Sequence, residues 1–155
     1  MRLPYTKLAP DGYAALSSVS HYIKTDTALE PVLLEFVYLR ASQLNSCSFC
    51  IGLHRSELRK HDEPDGRIDA LAAWRTSDFY TPRERAALAW TEAITNVQDS
   101  NASDTEYAAV NEFFRDKDLV DLTLAISNIN AWNRMSIAFN VEWGPRKNTV
   151  GAPPV

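Results

Sequence analysis

The spacing of apolar residues predicts helices along nearly the whole chain. Tyr13, Leu16, Val19 and Ile23 recur every three or four positions, which is the spacing of one helix face. Pro31 precedes the apolar run VLLEFVYLRASQLN and suits the first turn of a second helix. No stretch alternates apolar and polar residues in the manner of a strand, and no Asn-Gly or Asp-Gly turn joins two apolar runs. The pattern therefore predicts an all-α fold.

Helix boundaries are clearest where capping residues recur. Thr81 with Glu84, and Ser103 with Glu106, have the spacing of capping boxes at two helix starts. Each box is followed by apolar residues at helical spacing. We therefore expect one helix to begin after Thr81 and another after Ser103.

Two further helices are predicted from less regular signals. Ser46 is a good N-cap for a helix that starts at Cys47 and runs to about Lys60. Asp118 precedes a long apolar run that Gly144 should end. In total we expect a single-domain bundle of about six to seven helices over residues 1–145. Residues 146–155 are expected to form a mobile C-terminal tail.

Composition narrows the classes of partner. Apolar residues make up 45% and charged residues 23% of the 155 positions, and the net charge is −4. We expect no nucleic-acid partner, because such surfaces need a concentrated basic patch. We also expect no membrane association, since no apolar run is long enough to cross a bilayer. The opening residues, MRLPYTKLAPDGY, lack the apolar segment of a targeting peptide, which favours the cytoplasm.

The candidate chemistry lies in the segment EFVYLRASQLNSCSFCIGLH. Cys47, Cys50 and His54 are three and four positions apart, so a helix would place them on one face. A helix N-terminus favours the thiolate, which is the reactive form of cysteine. His54, one turn beyond Cys50, is placed to take its proton, and Glu35 on the preceding helix is placed to orient the imidazole. On this spacing Cys50 should be the more reactive thiol.

Other interpretations of these residues stay open at the level of sequence. The cysteines could be buried core residues, or ligands of a zinc ion that would still lack a fourth protein ligand. A thioredoxin fold also carries a CxxC pair but needs strands, which the sequence does not predict. Glu35 could simply form an ion pair with a base such as Arg40.

The segment LLEFVYLRASQLNSCSFCIGLH closely resembles the core motif of AhpD-like alkylhydroperoxidases in the carboxymuconolactone decarboxylase superfamily. In that motif a glutamate and eleven further residues precede CxxCxxxH, which places Glu35, Cys47, Cys50 and His54 at the motif positions. The segments WRTSDFYTPRERAALAWTEAITN and LTLAISNINAWNRMSIAF extend the resemblance to about residues 4–143. One departure is Phe49, since the best-studied branch has a histidine between its cysteines.

The resemblance implies an all-helical thiol-dependent peroxidase that uses no metal, flavin or haem. By position, Cys50 would attack the peroxide, Cys47 would resolve the product as a disulfide, and His54 with Glu35 would move the proton. It further implies an external dithiol or lipoamide-type reductant and a homo-oligomer, trimeric or hexameric. A redox-sensing or disulfide-exchange protein without rapid turnover would need the same dithiol, so it is the alternative.

Overall fold

The structure, a computed structural model, describes residues 1–144, and within them all regular structure is helical. The predicted all-α, single-domain fold is therefore confirmed. Among the described residues the helices are more numerous than predicted, because four of them are short elements of four to seven residues. The α-helices are α1 (Tyr5–Leu8), α2 (Pro10–Thr25), α3 (Pro31–Leu44), α4 (Ser48–Lys60), α5 (Asp65–Asp69), α6 (Pro82–Thr95), α7 (Val97–Ser100), α8 (Asp104–Asn111) and α9 (Asp116–Ala138), and a 3₁₀ helix spans Ala70–Thr76.

Helix α3 forms the centre of the bundle. Its residues from Leu33 to Leu39 are buried in an unbroken run, which is the pattern of a helix enclosed on every side. It packs against α4, α6 and α9, and α6 also packs against α9. An acid inside such a run must find a polar partner, because an unpaired buried charge is very costly. Glu35 on α3 must therefore have a polar partner on a neighbouring element.

Both predicted capping boxes are present. The hydroxyls of Thr81 and Ser103 accept hydrogen bonds from the backbone N–H of Glu84 and Glu106, and each glutamate bonds back to the cap residue. These boundaries were predictable because a capping box uses only residues within one turn.

The last helix ends earlier than predicted. Asn140 adopts a left-handed conformation (φ 50°), and its N–H donates to the carbonyl of Ile137. The N–H of Val141 donates to the carbonyl of Ser136 at 2.9 Å, which completes a Schellman motif. The prediction that Gly144 ends this helix is therefore wrong, and so is the start at Asp118, since α9 begins at Asp116. The segment after Asn140 is free to fold back toward α4.

Among residues 1–144 no helix is long and apolar enough to cross a membrane. The predicted C-terminal tail, residues 146–155, lies outside the described residues.

Candidate active site

Glu35 and His54 form a buried hydrogen-bonded pair between α3 and α4. The Nδ1–H of His54 donates to Oε2 of Glu35 at 2.7 Å, and the two residues are 1% and 7% exposed. The alternative partner of Glu35 is excluded, because Arg40 pairs with Glu92 instead, at 2.8 Å. The sequence-based pairing of Glu35 with His54 thus corresponds to a direct contact.

This hydrogen bond fixes the form of the imidazole. A carboxylate can only accept, so the proton of the neutral ring lies on Nδ1 and Nε2 carries a lone pair. Nε2 is buried and has no hydrogen-bond partner among the described residues. The ring of Tyr38 lies against it, with centroids 5.1 Å apart. His54 therefore presents a desolvated base on the α4 face that also carries Cys50.

Cys47 itself caps α4. It has an extended backbone (φ −83°, ψ 96°), and its Sγ accepts a hydrogen bond from the N–H of Cys50 at 3.4 Å. Ser46 adopts a left-handed conformation (φ 56°), so the prediction that its side chain caps this helix is wrong. The dithiol does lie at the start of the helix, as predicted, with Cys47 one residue before its first turn.

The negative charge of the pair is favoured on Cys47. A hydrogen bond from the Cys50 thiol, together with one from the Cys50 N–H, lowers the pKa of Cys47 to about 7, although burial opposes this shift. The same hydrogen bond, with burial and the Cys47 charge, raises the pKa of Cys50. Cys50 therefore holds its proton more tightly than Cys47 does. The more acidic thiol is thus Cys47, whereas the spacing to His54 predicts that Cys50 is the more reactive one.

Three residues distant in sequence complete the surroundings of the thiols. Ser136 on α9 lowers the pKa of both cysteines, and Asn133, one turn earlier, lowers that of Cys50. Tyr5 on α1 is buried, and burial, Tyr13 and then the two cysteines raise its pKa to about 12. None of the three residues could be connected with the CxxC motif from the sequence, because no local spacing relates them to it.

Asparagines fix α9 against α3. The side-chain amide of Asn45 donates to Oδ1 of Asn130 and of Asn133, both at 2.9 Å, and Asn133 donates to Ser42 at 3.1 Å. Buried amides need such partners, and here they connect the end of α3 to α9. The network thereby holds the α9 residues beside the dithiol.

The C-terminal segment covers the dithiol. Val141 packs on the apolar cluster formed by Cys47, Phe49 and Cys50. The ring of Trp143 contacts that of Phe49, with centroids 6.0 Å apart, and lies so close to Gly52 that any Cβ there would overlap it. Both cysteines are reduced and only 1% exposed. Reagents must therefore enter through a narrow or transient opening.

A cavity of about 240 Å³ reaches the other side of Glu35. Tyr38 and Leu34 form part of its wall, and Lys24, Glu57 and His61 also line it. Glu35 therefore borders this cavity and is also hydrogen-bonded to His54.

No group of three or more His, Cys, Asp or Glu side chains within residues 1–144 is arranged to hold a metal ion. The zinc interpretation of CxxCxxxH has no fourth ligand in this part of the chain. A thioredoxin fold is excluded for residues 1–144, because it needs β-strands and their regular structure is all helical.

Comparisons with known proteins agree with this fold and motif. The family model described as the carboxymuconolactone decarboxylase family matches residues 10–93. The Bacillus subtilis protein YdfG, itself uncharacterised, is 39% identical over 137 residues, which are 88% of this chain and 92% of YdfG.

Two solved structures with this fold are a protein of unknown function and an enzyme. A protein of unknown function from Agrobacterium tumefaciens, provisionally described as an AhpD antioxidant defence protein, has a TM-score of 0.89 and 32% identity, over 94% of this chain and 99% of that one. The debrominase Bmp8 has a TM-score of 0.75 at 17% identity, over 88% of this chain and 73% of Bmp8, and so shares the fold alone. A debrominase therefore shares this fold.

Proposed function

Because this chain belongs to the carboxymuconolactone decarboxylase family and has AhpD-like relatives, we propose that it is a thiol-dependent peroxidase. The observation that supports this most is the buried Glu35–His54 hydrogen bond, which leaves Nε2 with a lone pair on a residue four positions after Cys50 in α4. In this proposal Cys50, Cys47, His54 and Glu35 carry the reaction.

The first step consumes the peroxide. The sulfur of Cys50 attacks the terminal oxygen of ROOH while Nε2 of His54 takes the thiol proton. The O–O bond breaks, Cys50 becomes a sulfenic acid, and the alkoxide leaves with its electron pair. The imidazolium, held by the Glu35 carboxylate, returns the proton to give ROH.

The second step uses the charge already present on Cys47. Its thiolate attacks the sulfur of the sulfenic acid, forms the Cys47–Cys50 disulfide and expels hydroxide, which takes up a proton to give water. A pKa of about 7 keeps Cys47 available as a thiolate at neutral pH. The low pKa of Cys47 is therefore consistent with a resolving role.

An external dithiol of the lipoamide type completes the proposed cycle. Its two thiols reduce the disulfide by exchange and leave as a disulfide, so that one peroxide is reduced for each dithiol oxidised. Such a cycle requires a reducing compartment, and we place the protein in the cytoplasm.

We also propose a homo-oligomer, a trimer or hexamer. Large apolar side chains on α8 and α9 face solvent, among them Tyr107, Val120 and Leu124, beside a surface cavity of about 540 Å³. Light scattering should give a mass well above 17.4 kDa. A monomer at micromolar concentration would contradict this proposal.

Trapping of the intermediate tests the proposed chemistry. In Cys47→Ser, peroxide should leave a sulfenic acid on Cys50 that a dimedone-type reagent captures. In Cys50→Ser, oxidation of Cys47 should be at least about 100-fold slower, because no positioned imidazolium gives a proton to the leaving alkoxide. Equal rates in the two variants would show that the roles of the two cysteines are wrongly assigned.

The second candidate is a redox sensor, which the burial of both thiols favours. A dithiol under the cover of Val141 and Trp143 suits slow, stoichiometric oxidation. Steady-state peroxide consumption with dihydrolipoamide separates the two functions. The peroxidase should turn over many times, whereas a sensor should stop after one disulfide per chain.

A further inference from the structure

The buried imidazole of His54 is contacted by two side chains of α3. His54 is buried, whereas the other two histidines of the chain, His21 and His61, are exposed. Glu35 and Tyr38 are three positions apart and so share a face of α3. Glu35 bonds to Nδ1 at 2.7 Å, and the ring of Tyr38 packs against the imidazole, with centroids 5.1 Å apart and planes at 47°. The imidazole is therefore constrained by a hydrogen bond and by a ring contact.

The hydrogen bond to Glu35 does not by itself fix the plane of the imidazole. Rotation of a histidine ring about its Cβ–Cγ bond has a broad energy minimum. A single N–H···O bond tolerates such rocking, because it weakens steeply only at strongly bent angles. Rocking would change the direction of the lone pair on Nε2, which has no partner among the described residues. A second contact is therefore needed to hold the ring, and Tyr38 provides one.

Tyr38 is itself held rigidly by the core. It is buried within the unbroken buried run of α3, and its side chain belongs to the same apolar cluster as Leu34 and as Trp132 of α9. Close-packed interiors of this kind leave a large ring little freedom to move. Burial, and then the charge of Glu35, raise the pKa of Tyr38, so its phenol stays neutral beside the carboxylate. Tyr38 therefore offers the imidazole a fixed and uncharged surface.

We propose that Tyr38 is a positioning residue for the base His54. Glu35 decides which nitrogen of the imidazole carries the proton, and the ring of Tyr38 fixes the plane of the imidazole, so that the lone pair of Nε2 keeps one direction. A base is effective only when its lone pair is held in the direction of the proton that it takes. Tyr38 acts through His54, and its role rests on the proposed peroxidase function.

The kinetic test compares two reactions of the dithiol at the same pH. Disulfide formation with hydrogen peroxide uses His54, whereas alkylation by iodoacetamide needs only thiolate and access. The ratio of the first rate to the second therefore corrects for any change in the cover of the thiols. Tyr38→Leu should lower this ratio about tenfold or more, because a misplaced base loses part of its effect. Tyr38→Phe keeps the ring and should stay within about twofold of the unmodified protein.

Tyr80 provides the matched control. It is also a buried tyrosine, but its ring packs on Phe36, with centroids 5.6 Å apart, in a separate apolar cluster. Tyr80→Leu removes a comparable buried ring, so it should lower stability and leave the ratio unchanged. Far-ultraviolet circular dichroism checks the fold of each variant. Tyr38→Met, whose flexible side chain fills irregular space, replaces Tyr38→Leu if the leucine variant does not fold.

Nuclear magnetic resonance of the imidazole nitrogens tests the positioning without any turnover. At about pH 8, where an ordinary histidine is neutral, the ¹⁵N signals of His54 should show a proton on Nδ1 and a lone pair on Nε2. The exposed His21 and His61 give averaged signals and serve as internal references. In Tyr38→Leu the His54 signals should broaden or move toward those averaged values, whereas Tyr38→Phe and Tyr80→Leu should leave them unchanged.

The two measurements together decide the proposal. If Tyr38→Leu left both the rate ratio and the ¹⁵N signals of His54 unchanged, Tyr38 would be a packing residue only. A ratio as low in Tyr38→Phe as in Tyr38→Leu would also overturn the proposal, since the hydroxyl rather than the ring would then be needed. If the unmodified protein forms no Cys47–Cys50 disulfide with peroxide, the peroxidase function fails, and the ¹⁵N signals alone decide whether Tyr38 positions His54.

Discussion

The N–H of Cys50 donates to Sγ of Cys47 at 3.4 Å, so the first cysteine of the motif caps the helix that carries the second. This contact exposes the Cys47 sulfur to the positive end of α4 and to the Cys50 thiol. The negative charge is therefore favoured on Cys47, whereas the candidate base, His54, lies one helical turn beyond Cys50.

The first prediction concerns the pKa of Cys47. Cys50→Ala removes the thiol donor and should raise this pKa from about 7 toward the ordinary cysteine value. Cys50→Ser keeps an O–H donor and should raise it less. Thiolate absorbance at 240 nm against pH measures both, with the rise shifting to higher pH in Cys50→Ala. If both variants titrated like the unmodified protein, a hydrogen bond from the Cys50 thiol would not be what lowers the pKa of Cys47.

The second prediction concerns Glu35. Glu35→Gln removes the charge that stabilises the imidazolium, so the rate of disulfide formation with peroxide should fall about 10–100-fold. The control is Glu57→Gln, which changes another acid in the wall of the same cavity. Stopped-flow fluorescence follows the reaction. Equal rates in the two variants would show that Glu35 has no part in disulfide formation.

The third prediction concerns access to the thiols. Gly52→Ala places a methyl group where the ring of Trp143 lies, so the C-terminal segment must move off α4. Iodoacetamide should then modify the thiols at least several-fold faster. Gly12→Ala is the matched control, because a methyl group there meets nothing within 4 Å. A rate that stays the same in Gly52→Ala would mean that Trp143 does not limit entry.

The fourth prediction concerns stability. Glu92 bonds to Arg40 and Trp74 at 2.8 and 2.7 Å and also pairs with Arg75. Glu92→Gln should lower the free energy of unfolding by about 1–3 kcal/mol, because it leaves half-buried donors poorly matched. Glu30→Gln, which changes an exposed ion pair, should cost less than about 1 kcal/mol. Urea unfolding at neutral pH compares them.

The effect of Glu92 should also depend on pH. Burial raises the pKa of its carboxyl, but the bonds from Trp74, Arg75 and Arg40 together lower it below the ordinary value. A lowered folded-state pKa contributes stability above about pH 4.3, the unfolded value, and loses it as pH falls through the folded value. The difference between Glu92→Gln and the unmodified protein should therefore shrink in acid. A difference that grew in acid would contradict this.

Much of the fold could be predicted from sequence because its signals are local. Helical spacing, the Thr81 and Ser103 capping boxes and the CxxCxxxH face each depend on residues within one or two turns. The Glu35–His54 contact was also predictable, since a charge inside an apolar helix needs a partner from the next element. The true end of α9 had a local signal as well, because Asn140 is a residue type that tolerates the left-handed position of a Schellman motif.

Only tertiary structure decided what surrounds the thiols. Tyr5 and Ser136 come from opposite ends of the chain, and no periodicity relates them to Cys50. The sequence determined which groups can carry the chemistry, because helical spacing fixes neighbours on one face. Packing of α1, α4 and α9 determined where the proton of the dithiol lies, since burial and hydrogen bonds from distant segments set the pKa of each sulfur.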